Sequence, residues 1–189
     1  MLRTACLLTV LVAACSASPP EEPLTAEESE AVAKAVEDTV EIVSEVNTAD
    51  IAVTAATYRR IPCTTVDTDR RTFTTITFAC TFPFKIEGTV HFERSTPEQL
   101  VTVTDLMINK VSFDSATTLV VPRDPTLPRT FDGALVVVGP HRELDSVVTA
   151  SWVVSGKCVI LDAAGFTLIN SVEHSFTITG KRICRRFWP

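Results

Sequence analysis

Cysteine, histidine, aspartate and serine are the residues of this chain that could do chemistry, and their spacing decides which chemistry is open. Six cysteines stand in the sequence, at positions 6, 15, 63, 80, 158 and 184. None forms a Cys-x-x-Cys pair, and His91, His141 and His174 are scattered, so a zinc site has no basis in the spacing. A hydrolase would have to be built from His91, Asp132, His141 and Ser146. Neither a Gly-x-Ser-x-Gly elbow nor a Ser-x-x-Lys pair accompanies them. Asp145 and Ser146 are chain neighbours, and a triad is defined by spatial geometry. His91 falls on the polar side of a strand-like alternation and His141 follows Gly139-Pro140, so both read as solvated residues. Asp67 and Asp69 flank a turn beside Arg70 and Arg71, which would oppose a cation, and calcium needs about six to eight oxygens. The reading is a non-enzyme with no metal and no cofactor.

The elements that position these residues begin with an export signal. Arg3 gives a short positive start, and Leu7 to Ala14 is an apolar run too short to span a membrane as a helix. Small residues then precede a cysteine in Val12-Ala13-Ala14-Cys15. This segment resembles the bacterial lipoprotein signal peptide and its lipobox. The resemblance implies a signal over 1–14, diacylglycerol on Cys15 and a mature chain of 15–189. The alternative is an ordinary secretory cleavage after Cys15-Ser16-Ala17, which would release a free protein. At about 0.8 kcal/mol per buried methylene, two or three acyl chains anchor stably where one does not. Ser16 resembles the non-Asp outer-membrane sorting pattern of some proteobacteria. The expected location is the cell envelope, lipid-anchored, with the outer membrane favoured over the inner.

Residues 15–25 form the lipidated end and a tether. Three prolines in Ser-Ala-Ser-Pro-Pro-Glu-Glu-Pro-Leu make it extended and semi-rigid. Thr25-Ala26-Glu27-Glu28 then reads as a capping box. Val32, Val36, Val40 and Val43 follow at helical spacing, with Ile42 and Val46 alongside, and predict an amphipathic helix over 26–47. Glu30, Lys34, Glu37, Asp38, Glu41 and Glu45 are assigned to its polar face. Packing on the following domain is the favoured role for the valine face, and docking of a partner the alternative. Residues 48–58 suit either a second helix or a first strand.

The fold class reads as all-β over 48–189, with the N-terminal amphipathic helix added. Thr supplies 27 of the 189 residues and suits the wet face of a strand. From about residue 60 the period is two: Ile76, Phe78 and Cys80 alternate with Thr75, Thr77 and Ala79. The same alternation recurs at 89–93, 101–104 and 175–179. Further strands are expected near 110–121, 130–138, 147–155, 157–161 and 166–170. Asp67-Thr68-Asp69, Glu87-Gly88, Asp132-Gly133, Gly139-Pro140 and Asp162-Ala163-Ala164-Gly165 read as turns. The architecture expected is a mainly antiparallel sandwich, barrel or curved open sheet.

A second resemblance rests on Cys63-Thr64-Thr65-Val66, Phe78-Ala79-Cys80-Thr81, Glu87-Gly88-Thr89-Val90, Gly156-Lys157-Cys158 and Gly180-Lys181-Arg182-Ile183-Cys184. Over most of 60–186 the layout is similar to uncharacterised β-rich lipoproteins of myxobacteria and related deltaproteobacteria. Members often close with a Cys-Pro element, where this chain has Phe187-Trp188-Pro189. The resemblance implies no activity.

With Cys6 in the signal and Cys15 lipidated, Cys63, Cys80, Cys158 and Cys184 remain as disulfide candidates for an oxidising compartment. Three connectivities are open. Pairing of sequence neighbours, Cys63–Cys80 and Cys158–Cys184, is the expectation, with one objection. A tight hairpin turning at Asp69 sets Cys63 opposite Thr75, five residues short of Cys80 and beyond disulfide reach.

Charge and exposed segments bound the partners. Residues 15–50 carry ten acids and one base, while residues 51–189 carry thirteen acids and fifteen bases, so the acidity belongs to the arm. Nothing resembles a basic stripe with binding aromatics, and nucleic acid is not an expected partner. Pro122, Arg123, Pro125, Leu127, Pro128 and Arg129 form a candidate binding loop, since prolines three apart match polyproline II; a rigid connector is the plainer reading. Lys181 to Pro189 hold four bases, no acid, Phe187 and Trp188, which suits a headgroup interface, a protein partner, or contact with the acidic arm. The Thr-x-Thr pairs are too irregular for an ice-binding array. The functional expectation is a lipid-anchored, non-catalytic binding or structural module whose partner is an envelope protein or glycan. A carrier of a lipid or other apolar ligand in a β cavity is the alternative, and an envelope enzyme the third.

Overall fold

The computed structural model describes residues 23–44, 50–81, 85–95, 98–124 and 126–184. The predicted first helix is α1 (Ala26–Val43), and the ambiguous segment resolves as a second helix, α2 (Ile51–Tyr58). Nine strands follow: β1 (Thr64–Thr68), β2 (Phe73–Cys80), β3 (Ile86–Ser95), β4 (Glu98–Ile108), β5 (Val111–Val120), β6 (Arg129–Val138), β7 (Glu143–Ser155), β8 (Cys158–Ile169) and β9 (Val172–Cys184). They pair antiparallel in sequence order as one sheet, with β1 and β9 at its edges. Of the three architectures expected, this is the open sheet. The chain's alternation fits it, because each strand has one wet and one dry face.

The capping box forms as the sequence predicts. The Thr25 amide donates to Glu28 Oε2 at 2.9 Å and the Glu28 amide donates to Thr25 Oγ1 at 3.2 Å. Asp50 caps α2 by accepting from the amides of Ala52 (2.8 Å) and Val53 (3.3 Å). Both helices cover the apolar face of the sheet: α2 packs on β1, β2 and β3, and α1 reaches all of β5 to β9. α1 runs along β6 and β7, with Glu28 at Arg142 beyond one end and Ser44 at Arg129 at the other. Its contact with five strands about 4.8 Å apart therefore means that the sheet curves around it. Burial agrees and corrects one expectation. Residues 38 to 44 are all buried, including Asp38 and Glu41, which the helical pattern assigned to a polar face. Only the first half of the helix keeps a solvated side; Glu30 is exposed there. The predicted extension to residue 47 falls partly outside the described residues.

Three predicted turns are not turns. Glu87-Gly88 lies in β3, Asp132-Gly133 in β6 and Asp162 to Gly165 in β8, so the strands expected at 157–161 and 166–170 are one strand. The glycines serve close approach instead. In one row across the inner face the partners are Phe92, Val101, Thr117, Gly133, Val148, Gly165 and Phe176. A Cβ on Gly133 would lie 2.2 Å from the Ala116 carbonyl oxygen, and one on Gly165 2.1 Å from that of Val147. Both positions are bare backbone where the neighbouring strand approaches closely. Asp162 has a different task. β9 carries an extra residue in the register between Leu161 and Ala163, and Asp162 Oδ1 accepts from the amide of the bulged Gly180 at 2.8 Å. The β4 bulge repeats the device: Asp114 Oδ1 accepts from the amide of Asp105, at φ 49°.

Candidate functional site

The groups from which a hydrolase would be assembled are kept apart. Ser146 is buried on the inner face of β7, with its Oγ 2.9 Å from Thr167 Oγ1. Asp132 is exposed on the outer face of β6, and His141 is exposed between β6 and β7. His91 belongs to β3, stacks on Phe73 and lies 2.8 Å from Thr75 Oγ1 through Nδ1. Four strand spacings, about 19 Å, separate β3 from β7. Among the described residues no three His, Cys, Asp or Glu side chains gather closely enough to hold a metal.

Asp69 is committed to its turn. It accepts from the amides of Arg71 (2.9 Å), Thr72 (2.7 Å) and Phe73 (3.1 Å) and from the Thr72 hydroxyl. The Thr72 hydroxyl, followed by these amides, holds its carboxyl far below the usual carboxylate range. Its oxygens therefore face backbone donors, and Arg70 and Arg71 beside it are exposed.

The proline loop departs from the polyproline reading. Asp124 Oδ1 accepts from the amide and hydroxyl of Thr126 at 2.9 and 2.7 Å, and the Leu127 amide donates to the Asp124 carbonyl at 3.2 Å. This is a turn built by an aspartate, not an extended rod. Pro125 lies outside the described residues. Arg123, Leu127 and Pro128 are exposed and Pro122 is half-buried. Arg129 does not present itself: it opens β6, is buried, and donates from Nη1 to the Ser44 carbonyl at the end of α1 at 2.7 Å. Pro122, Arg123, Leu127 and Pro128 thus remain a surface loop, while Arg129 anchors a helix.

The four cysteines pair as sequence neighbours, Cys63 with Cys80 and Cys158 with Cys184. The objection to the first pair falls with the register. Thr68 pairs with Thr74 and Thr64 with Phe78, so five residues, Asp69 to Phe73, lie between the last pair of the hairpin. The Ala79 amide donates to the Cys63 carbonyl at 3.0 Å, leaving Cys80 one residue away instead of five. Cys158 and Cys184 are direct partners across β8 and β9.

The meander sorts the connections onto two ends of the sheet. At one end lie the β2–β3, β4–β5, β6–β7 and β8–β9 connections together with the start of the described chain. There Arg142, beside β7, donates from Nη2 to the Pro23 carbonyl at 3.4 Å and pairs with Glu28, Nε to Oε1 at 2.9 Å. Arg142, burial's opposing effect notwithstanding, lowers the Glu28 carboxyl to about 2, assisted by Thr25. At the other end lie the β5–β6 loop, the Gly156-Lys157 turn and the close of β9. Val153, Val154 and Ile160 there are exposed aliphatics. Sequence reasoning did not single them out, although Val153 and Ile160 fall on the outward phase of their strands. Lys181 reaches α1, with Nζ 3.0 Å from Glu37 Oε1, so one base of the C-terminal cluster contacts the acidic segment. Residues 185–189 and Cys15 lie outside the described residues. No family model, curated protein or solved structure matches the chain. No described helix is long and apolar enough to cross a membrane.

Proposed function

We infer that the chain is a lipid-anchored protein of the cell envelope, outer membrane favoured, whose β domain is a non-catalytic binding or structural module. The observation that carries this reading is the apolar run Leu7 to Ala14 closing on Val12-Ala13-Ala14-Cys15 and followed at once by a proline tether. The fold is compatible with such a tether. The described chain enters at one end of the sheet, where Arg142 touches Pro23, so an acylated Cys15 would hold the domain by that end. A carrier of an apolar ligand is the weaker reading, because α1 and α2 already occupy the apolar face on which a ligand would lie.

The test is the intact mass of the protein from its native membrane fraction, with and without reduction before alkylation. The expected mass is residues 15–189 plus acyl chains, with four thiols alkylated only after reduction. A mass without lipid would remove the anchor and with it the case for a membrane-held module.

A further inference from the structure

The end of the sheet away from the tether is built differently from the rest of the surface. Arg129, the first residue of β6, pairs with Trp152, so Val153, Val154 and Ser155 of β7 run past β6. On the other side pairing continues to the last residues, where the Cys158–Cys184 disulfide fastens β9 to the tip. The outer face of this projection carries Val153, Ile160 and Arg182 side by side, at 39% and 37% exposure for the two aliphatics, with Arg182 exposed. Val154 is 41% exposed on the opposite face, and Leu127 is 53% exposed on the neighbouring loop. Lys157 caps the turn. Lys157 and Arg182 make no ion pair among the described residues. No acid occurs over 153–160 or 181–189, and the sequence leaves Cys184 as Arg185-Arg186-Phe187-Trp188-Pro189. Of the acids around this end, Glu37 is paired with Lys181, while Asp124 and Asp162 keep their charge and accept from Thr126 and the Gly180 amide.

We propose that this projecting end docks on an anionic lipid surface, with Val153, Val154 and Ile160 entering the headgroup layer and Lys157 and Arg182 meeting lipid phosphates. The pairing of chemistries selects the partner. An acidic glycan would engage the cations and leave the aliphatics in water, whereas an anionic bilayer accepts both. The contact is separate from any acyl anchor, since the tether enters at the opposite end of the 13-residue β7, about 40 Å away.

The experiment uses the full chain carrying Cys15→Ser, so that no acyl chain holds it. Co-sedimentation is measured with vesicles of phosphatidylcholine alone and of phosphatidylcholine mixed with phosphatidylglycerol. Binding to the mixed vesicles is expected, falling with salt. Lys157→Gln with Arg182→Gln is expected to weaken it about 30-fold, from two phosphate-facing cations. Val153→Ser with Ile160→Ser, which leaves both charges, is expected to weaken it as well. All four positions are exposed, and retained circular dichroism with both disulfides intact shows the variants fold. Whatever the leader contributes is common to the parent and its variants. Equal binding by parent and variants overturns the proposal, as does binding to soluble polygalacturonate without binding to mixed vesicles.

Discussion

The two helices lie on the same sheet and are held there by different means. α2 sits on β1 to β3 through apolar and aromatic contact: Ile51, Ala55 and Tyr58 are buried, and the Tyr58 ring meets Phe78 edge-on at 6.3 Å and Phe92 at 5.6 Å. α1 also buries valines, but its placement over β5 to β9 is fixed by charged and polar groups. Glu28 meets Arg142 at its start, Glu37 meets Lys181 in its middle, and the Ser44 carbonyl accepts from Arg129 at its end. Burial of apolar area is non-directional and indifferent to pH, whereas charge-assisted hydrogen bonds fix position and depend on protonation. One half of the helical layer is therefore a core, and the other is a core with an electrostatic register.

The largest effect expected from breaking this contrast is at Tyr58. The side chain is fully buried, and its hydroxyl donates to the Ile42 carbonyl, joining the two helices. Tyr58→Ala removes an aromatic core and leaves that carbonyl without its donor, at about 3–5 kcal/mol by the scale of buried aromatic truncations. The loss, read from urea midpoints, is expected to be the same at neutral and at mildly acid pH. A loss that shrinks on acidification would show that α2 too is held by titrating groups.

Arg142→Ala is the next step down and should behave in the opposite way. Glu28 is covered by Arg142, itself 25% exposed, so the variant removes two charge-assisted hydrogen bonds and lets water reach the carboxylate, at about 1–2 kcal/mol near neutrality. The Glu28 carboxyl is lowered from 4.5 to about 2 by the hydrogen bond from Arg142 and by Thr25, against burial. A depressed carboxyl stabilises the fold fully above its unfolded value, and that stability drains away as pH falls through the folded one. The parent protein should therefore lose stability between about pH 4.5 and about pH 2 from this group, and Arg142→Ala should lose much less over the same window. Parallel stability curves for parent and variant would mean that the pair does not fix α1.

Where the sequence could be read, local physics decided the structure; where it could not, a distant partner did. Thr25 and Glu28 announce the start of α1 because a capping box is closed within four residues. The period-two runs announce strands because a half-buried sheet leaves no other arrangement for them. Asp132-Gly133 and Asp162 to Gly165 resemble turns in composition, yet they are strand, since what selects glycine there is the backbone of β5 or β7 pressing on it. Asp38 and Glu41 look like a solvated stripe until the sheet curves around them. Arg129 looks like a loop cation until Ser44, 85 residues earlier, supplies a carbonyl. The disulfide objection failed for a related reason: it assumed a tight turn, and Asp69 holds open a longer one. The projecting tip was partly legible as two outward aliphatics, but its projection depends on where β6 begins.

Lys181 tests how far the electrostatic register extends. Its side chain is 51% exposed and that of Glu37 14%, so water and salt reach this pair more freely than Arg142 and Glu28, at 25% and 1%. Exposed pairs contribute about 0.2–1 kcal/mol and are screened over about 10 Å at 0.1 M salt. Lys181→Ala should therefore lower stability by less than about 1 kcal/mol at low salt and by nearly nothing at high salt. Arg142→Ala should keep most of its effect at high salt, because the pair it breaks is largely covered in the parent. Measuring both variants at two salt concentrations separates a fixed start of α1 from a merely decorated middle. If the Lys181 effect matched that of Arg142 in size and persisted in salt, the helix would be clamped along its length rather than at its ends. β9 would then be held to α1 through Lys181 as firmly as β7 is through Arg142.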